Sequence, residues 1–291
     1  MLRLVLPKGS LEKLTLQLFA DADLALTRAS DVDYKATIDD PNVNEVRILR
    51  PQEIGRYVAS GMFDIGITGR DWIEETQADV VTLAQLNYSK ATARPTNIVL
   101  AVAGDSPWQS VRDLPDGVRV QTEYVGLTKR FFESNGVRAD VALSYGATEA
   151  KIPEIADAVV ELTETGRALR AAGLKVIDTI LVSYTELIAN PVSYADPAKR
   201  RAMEHLQVLL SGALEARGRV LVKLNVEEAN LQAVIALLPA LKSPTVSKLY
   251  GEDGYAVETV IAKTGINTLI PALKEAGASG IIELPISKIV A

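Results

Sequence analysis

Short apolar runs alternate with stretches of helical spacing from the N-terminus to about residue 190. Leu2 to Leu6 predicts a buried strand that ends in Pro7-Lys8-Gly9-Ser10. Leu11, Leu14 and Leu18 then recur at helical spacing, with Ser10 as a natural N-cap. Glu45 to Leu49 predicts a strand, Pro51 opens a helix through Val58, Phe63 to Ile67 predicts a strand, and Gly69-Arg70-Asp71 opens another helix. Further strands fit Ile98 to Ala103, Val118 to Thr122 and Asp140 to Ser144, with a helix at about Leu127 to Asn135. Repeated β-then-α order predicts a largely parallel α/β sheet that takes its ligands at the carboxyl ends of its strands. Three loops stand at such ends: Lys8-Gly9-Ser10, Arg50-Pro51 and Thr68-Gly69-Arg70-Asp71.

The alternation breaks at Thr92 to Thr96, where Arg94-Pro95 reads as a crossing into a second α/β lobe. Val176 to Ile188 runs back as one long apolar, β-branched segment, and Asn190 to Pro197 reads as loop. Ala198 to Arg217 is an amphipathic helix with Met203, Leu206, Leu210 and Ala213 at helical spacing. Beyond it, strands at Arg219–Val226, Val246–Tyr250, Ala256–Ile261 and Gly280–Leu284 combine with helices at Glu227–Leu238 and Thr268–Ala276 in the order βαββαβ, which is ferredoxin-like. The expected domains are a first lobe of residues 1–93 with 180–217, a second lobe of 94–179, and a C-terminal α+β domain of 218–291.

Composition narrows the chemistry. The chain has 291 residues, a net charge of -6 and a pI near 5.1, which argues against a nucleic-acid partner bound through phosphate neutralisation. Zero cysteines exclude disulfides, thiolate catalysis and cysteine metal sites, and the single His205 lies in a helical pattern, so a catalytic triad is not expected. No apolar run has the length of a membrane span and no targeting segment is visible, which makes the cytoplasm the expected compartment.

The most informative stretch is Glu154 to Leu174. An apolar run from Ala156 to Leu162 carries Asp157 and Glu161 and stops at Thr163-Glu164-Thr165-Gly166, after which Arg167 to Ala172 favours helix. A turn feeding a helix start points backbone N–H groups and the positive end of the dipole at one spot, with the two threonine hydroxyls beside it and Gly166 permitting close approach. That arrangement suits a phosphate, although threonines also cap ordinary strand-to-helix turns. Tyr145-Gly146-Ala147-Thr148-Glu149 supplies a second small-residue turn with a carboxylate.

The run from Gly146 to Leu169 resembles the signature of the ATP phosphoribosyltransferases, the first enzymes of histidine biosynthesis. Leu6-Pro7-Lys8-Gly9, Gly66-Ile67-Thr68-Gly69-Arg70-Asp71 and Leu241-Lys242-Ser243-Pro244-Thr245 resemble motifs of the family's long form. The resemblance implies a bilobed, periplasmic-binding-protein-like catalytic core followed by an ACT-like domain that binds histidine as a feedback inhibitor. It implies transfer of a phosphoribosyl group from phosphoribosyl pyrophosphate to N1 of ATP with Mg2+, and dimers that assemble into hexamers. It places Lys8, Glu149 and Glu161 in catalysis. Asp157, Ala158, Thr163, Glu164, Thr165, Gly166, Arg167 and Ala168 are expected around phosphoribosyl pyrophosphate, and Gly9, Arg50, Gly69, Arg70 and Asp71 around the nucleotide. Asn225, Ser243, Pro244 and Thr245 are expected around histidine, and magnesium on the substrate phosphates. Two positions depart from the family's pattern: Glu161 stands where Asp is frequent, and Ala168, which offers no hydroxyl, where Thr is frequent. A solute-binding protein would share the bilobed core but calls for an export signal, and a non-enzymatic histidine-sensing subunit would not need Glu149, Thr165, Gly166 and Arg167.

Overall fold

The computed structural model describes residues 1–88, 95–239, 243–251 and 253–290. Thr92 to Arg94 of the crossing expected at Thr92 to Thr96, and Leu241 and Lys242, lie outside the described residues. The chain divides into two compact units, Met1–Gln207 and Val208–Ala291.

The first unit holds two sheets. In chain order its first lobe contains β1 (Leu2–Pro7), α1 (Glu12–Asp21), β2 (Leu26–Thr27), β3 (Lys35–Ile38), β4 (Val43–Leu49), α2 (Pro51–Ala59), β5 (Ile65–Gly69), α3 (Arg70–Thr76) and β6 (Val81–Gln85). The second contains β7 (Thr96–Ala103), β8 (Val118–Thr122), α4 (Val125–Ser134), β9 (Ala139–Leu143), β10 (Ala158–Thr163), α5 (Arg167–Ala171) and β11 (Leu174–Ser183). The chain then returns through β12 (Thr185–Ala189), α6 (Pro191–Ala195) and α7 (Pro197–Ala216).

The first sheet has the order β2-β3-β4-β1-β5-β12-β6 and the second β11-β7-β10-β8-β9. Only β4, β1 and β5 in the first, and β10, β8 and β9 in the second, run parallel to their neighbours; the strands outside them pair antiparallel. The expectation of largely parallel sheets therefore holds only for β4-β1-β5 at the centre of the first sheet and β10-β8-β9 at one side of the second, and these are the strands whose carboxyl ends carry the candidate loops. β12 lies between β5 and β6, and β6 pairs with β12.

The long apolar run expected from Val176 to Ile188 is two strands. β11 stays in the second sheet to Ser183, and after Tyr184 the chain joins the first sheet as β12, so the return falls at residue 184 rather than at 180. The stretch expected as loop, Asn190 to Pro197, contains α6, whose start is fixed by Pro191 at the first helical position and by the Asn190 side chain accepting from Ser193 N–H at 2.9 Å. α2 likewise has a proline, Pro51, at its start, without a side-chain cap from Arg50 but with Glu53 in its first turn.

Apolar burial follows these layers. Val5, Ile54, Val58, Phe63, Ile73 and Ile188 form one core of the first lobe, and Ile98, Leu100, Val120, Phe132, Val141 and Val160 lie in the core of the second. Beneath the first lobe, Asp64 is buried and accepts from Arg3 Nε at 3.1 Å, Lys199 Nζ at 2.7 Å and Ser193 Oγ at 2.6 Å. Burial works to raise this carboxyl's pKa, but the bonds from Arg3, Lys199 and Ser193 outweigh it and hold the group well below the usual carboxylate range.

The second unit begins inside α7, at Val208 rather than at 218. It contains β13 (Arg219–Val226), α8 (Leu231–Leu237), β14 (Thr245–Lys248), β15 (Tyr255–Ala262), α9 (Ile266–Glu275) and β16 (Ala278–Pro285). The sheet order β14-β15-β13-β16, antiparallel throughout, is the ferredoxin-like arrangement. Val220, Val222, Leu224 and Val226 alternate along β13 and pack with Val234 of α8 and Leu273 of α9. Among the described residues no helix is long and apolar enough to cross a membrane.

Candidate functional site

The carboxyl ends of β1, β4 and β5 on one lobe face those of β8 and β10 on the other across a cleft of about 250 Å³. Ser10 and Leu11 follow β1, Pro51 and Gln52 follow β4, and Gly69, Asp71 and Trp72 follow β5. Thr96 at the start of β7, Glu123 and Tyr124 after β8, Glu161 and Leu162 on β10, and Ser183 to Thr185 at the return crossing complete the wall.

Asp71 lies at the floor and is 5% exposed. Ser183 Oγ donates to its Oδ1 at 2.8 Å and accepts from its backbone N–H at 3.0 Å, while the Tyr124 phenol donates to Oδ2 at 2.8 Å. Gly69 makes this possible: a Cβ there would lie 2.0 Å from Asp71 Oδ1. The Tyr124 ring packs on Trp72 with centroids 4.7 Å apart. Burial, then the adjacent Asp71 carboxylate, pushes the Tyr124 phenol far above its ordinary pKa, so it remains a donor.

Glu161 stands on the opposite wall, half-buried. Burial raises its pKa, the Leu162 N–H and the Thr148 hydroxyl act against that rise, and the like charges of Glu123 and Glu149 add to it. Glu149, after Ala147 at φ 47°, is thereby brought close to Glu161. Thr148 belongs to a buried hydroxyl chain, with Ser144 Oγ 2.8 Å from Thr148 Oγ1 and Lys151 Nζ donating to Ser144 Oγ at 2.6 Å.

The loop Thr163 to Ala168 opens onto an adjoining hollow of about 480 Å³ lined by Thr163, Glu164, Thr165, Arg167 and Ala168, and Leu162 lines both it and the cleft. Gly166 sits at φ +69°, which glycine adopts without steric cost, and its N–H donates to Thr163 Oγ1 at 2.8 Å. The Arg167 side chain is exposed at the rim, and Arg170 donates to the Thr165 carbonyl at 2.8 Å.

Other expected residues are placed differently. Asp157 and Ala158 sit at the opposite end of β10 from the loop, about 20 Å from Thr163 along an extended strand. Asp157 is held there by Arg119, through Nη2 at 2.7 Å and Nε at 3.1 Å, which lowers its pKa; Ala158 is fully buried in the core. The structure therefore removes both from the phosphoribosyl pyrophosphate set. Arg70 pairs with Glu74 and lies 3.7 Å from Glu186, so its charge is met within its own lobe. Lys8 Nζ stands 4.1 Å over the Tyr34 ring and donates to the Val32 carbonyl at 3.4 Å. Exposed Arg50 lies beside Gly9, with Nη1 3.8 Å from where a Cβ on Gly9 would be.

In the second unit, Asn225 opposes Ala256 and Thr245 opposes Glu258, so Asn225 and Thr245 emerge on one face of the sheet, away from α8 and α9. Lys223 and Glu258 pair at 2.6 Å on that face. Ser243 and Pro244 lead into β14.

The matches to known proteins agree with this arrangement. The ATP phosphoribosyltransferase family model matches residues 50–212, and the model of the HisG C-terminal domain matches residues 216–288. The chain belongs to the ATP phosphoribosyltransferase family. It is of the long form, since the C-terminal domain follows the catalytic core, and it is a pentosyltransferase of the first step of histidine biosynthesis. It is 50% identical over 289 residues to the ATP phosphoribosyltransferase of Pelotomaculum thermopropionicum, covering 99% of both chains. It is 48% identical over 290 residues to that of Solibacter usitatus, covering 100% of this chain and 99% of the relative. Among solved structures, the ATP phosphoribosyl transferase (HisG:HisZ) complex from Thermotoga maritima is similar with a TM-score of 0.60 at 27% identity, over 72% of this chain and 99% of that one.

Tyr124, Trp72, Glu123 and Ser183 are site residues that sequence reasoning missed. Tyr124 had a usable signal, because Thr122-Glu123-Tyr124 ends a strand and precedes a helix, like the three loops singled out in the first lobe. Ser183 had none, lying inside an unbroken apolar run.

Proposed function

We propose that the cleft transfers the 5-phosphoribosyl group from phosphoribosyl pyrophosphate to N1 of ATP, giving phosphoribosyl-ATP and pyrophosphate. The adenine N1 lone pair forms the new bond to the ribose anomeric carbon as the bond from that carbon to the pyrophosphate oxygen breaks, with inversion. No proton need be removed from the nucleophile, so the protein's work is orientation and charge stabilisation.

The observation that carries this reading is the position of half-buried Glu161. It has the Thr163–Arg167 loop on one side and the Asp71–Tyr124 floor on the other. The loop is the 5′-phosphate site, with its turn held by the Gly166-to-Thr163 bond and Arg167 supplying charge. Glu149 and Glu161 accept from the ribose hydroxyls. Asp71, Gly69 and Gly9 border the nucleotide, and Lys8 and Arg50 at the mouth meet the polyphosphates. Glu123 and Glu149 add like charge to Glu161, but among the described residues no group of three or more acids is placed to hold a metal ion, so magnesium would enter the cleft on the substrate phosphates. Carried there, it would supply charge neutralisation for the departing pyrophosphate.

Histidine inhibition is assigned to the second unit, where Asn225, Ser243, Pro244 and Thr245 border a sheet face bearing the Lys223–Glu258 pair. A zwitterion with an imidazole finds both charge signs and neutral donors there. Because that face belongs to a different unit, histidine acts by favouring a less active arrangement, with a coupling of about 1 to 3 kcal/mol. A cytoplasmic homo-oligomer, dimer to hexamer, completes the reading. Incubation with ATP, phosphoribosyl pyrophosphate and magnesium, followed by ultraviolet absorbance, tests it. A new absorber is expected with the wild type and strongly diminished with Glu161→Gln; absence of turnover by the wild type overturns the reading.

A further inference from the structure

We infer that Glu75, together with the glycine it meets at Gly126, is a positioning residue that sets the spacing of the two cleft walls by locking α3 of the first lobe to α4 of the second. The inference rests on the cleft being the nucleotide site.

The first turn of any helix leaves backbone N–H groups without an intrahelical partner. At α4 the preceding residue, Tyr124, makes no side-chain cap. The cap comes from the other lobe instead. Glu75 accepts from Gly126 N–H through Oε1 at 2.8 Å and from Leu127 N–H through Oε2 at 2.7 Å. Each carboxylate oxygen thus takes one orphan donor, at the positive end of the α4 dipole. A Cβ on Gly126 would stand 2.9 Å from the Glu75 carbonyl oxygen and 3.3 Å from Glu75 Oε1, so the approach needs a residue without a side chain. One turn further along α4, Arg130 donates to the Glu74 carbonyl.

Tyr124 connects this seam to the cleft. It is the last residue before α4, and it places its ring on Trp72 and its hydroxyl on Asp71, both on α3. A shift of α4 away from α3 therefore withdraws the Tyr124 phenol from Asp71 and widens the cleft at its floor. Glu75 does not line the cleft; it acts through α4 and Tyr124.

The experiment uses the full chain with Trp108→Phe, which leaves Trp72 as the sole tryptophan of the two in the sequence. Glu75→Ala, Glu75→Gln and Gly126→Ala are compared with this parent by Trp72 emission, acrylamide quenching, and steady-state kinetics at varied ATP. Glutamine retains one acceptor but turns an N–H toward the second backbone donor, so it is expected to fail like alanine. The expected result is red-shifted emission, quenching raised about twofold, and KM for ATP raised roughly tenfold with a smaller change in kcat, in line with the loss of a charge-assisted bond. Unchanged Trp72 emission and quenching in both Glu75→Gln and Gly126→Ala, whether or not Glu75→Ala folds, overturns the lock. A changed Trp72 signal with unaltered KM for ATP overturns the positioning role. If ATP also fails to perturb Trp72 in the parent, the fault lies with the nucleotide reading of the cleft.

Discussion

Tyr124 and Asp71 come from different lobes and meet at 2.8 Å, phenol to carboxylate, both buried. This contact joins the two walls of the cleft at its floor, and it gives the phenol an effect on both folding and binding. Tyr124→Phe keeps the ring on Trp72 and removes only the donor to a buried carboxylate. Urea unfolding should show a loss of about 1 to 3 kcal/mol, together with weaker ATP binding by calorimetry. Stability and affinity both equal to wild type would show that the contact has no energetic consequence.

Glu161 should give the opposite sign. Its folded pKa is raised, chiefly by burial, so the folded state binds its proton more readily than the unfolded chain does. Its ionisation therefore costs stability as pH rises through the folded pKa, and the cost vanishes below the unfolded value near 4.3. Glu161→Gln should raise the melting temperature at pH 7 while abolishing most turnover, and the gain should disappear toward pH 4. A variant less stable than wild type at pH 7 would contradict burial as the dominant influence.

Asp64 supplies the acid limb. Its folded pKa is depressed, so its contribution is fully present above the unfolded value of about 3.9 and is lost as pH falls below that toward the folded value. Asp64→Asn leaves Arg3 and Lys199 without their carboxylate. Both keep partial solvent contact, with side chains 38% and 31% exposed, so the cost should be about 2 to 4 kcal/mol rather than that of a fully buried pair. Denaturant titrations at pH 7 and pH 3 should show the difference from wild type narrowing at the lower pH.

Gly166 is tested through strain and phosphate together. At φ +69° any L side chain costs about 1 to 2 kcal/mol, and a Cβ would also lie 2.7 Å from Arg170 Nη1. Gly166→Val should therefore lose that much stability and far more affinity for phosphoribosyl pyrophosphate than for ATP, measured by calorimetry with each ligand. Equal losses for the two would move the phosphate site away from this loop.

Feedback control separates from catalysis at the second unit. Asn225→Ala with Thr245→Ala should relieve inhibition of the initial rate by histidine while leaving KM for ATP within about twofold, since a coupling of 1 to 3 kcal/mol is what is being removed. Unchanged inhibitor potency at matched oligomeric state would place the effector site elsewhere.

The strands and helices of the second unit were legible because Val220, Val222, Leu224 and Val226 alternate against a single helical layer, and a period of two then has one structural meaning. The loops after β1, β4 and β5 were legible because each joins an apolar run to a helix start. The break at Tyr184 was not, because β-branched residues on both sides suit a strand equally well and only the distance between sheets decides where one ends. Asp157 misled for a related reason: it is near the phosphate loop in sequence, but an extended strand carries its two ends far apart. Glu75 has no local mark, since its partners are backbone groups on another lobe.

The placement of β12 also constrains how the chain assembles as it leaves the ribosome. β5 and β6 are made early, yet the strand between them is Thr185–Ala189, synthesised after the whole second lobe. Until then β6 lacks the neighbour it pairs with and β5 presents a bare edge beside the apolar Ile65 and Ile67, a surface open to wrong partners. Of the two lobes the first is in this sense the later to finish, and a nascent chain halted before Thr185 carries an incomplete sheet however well its second lobe has folded.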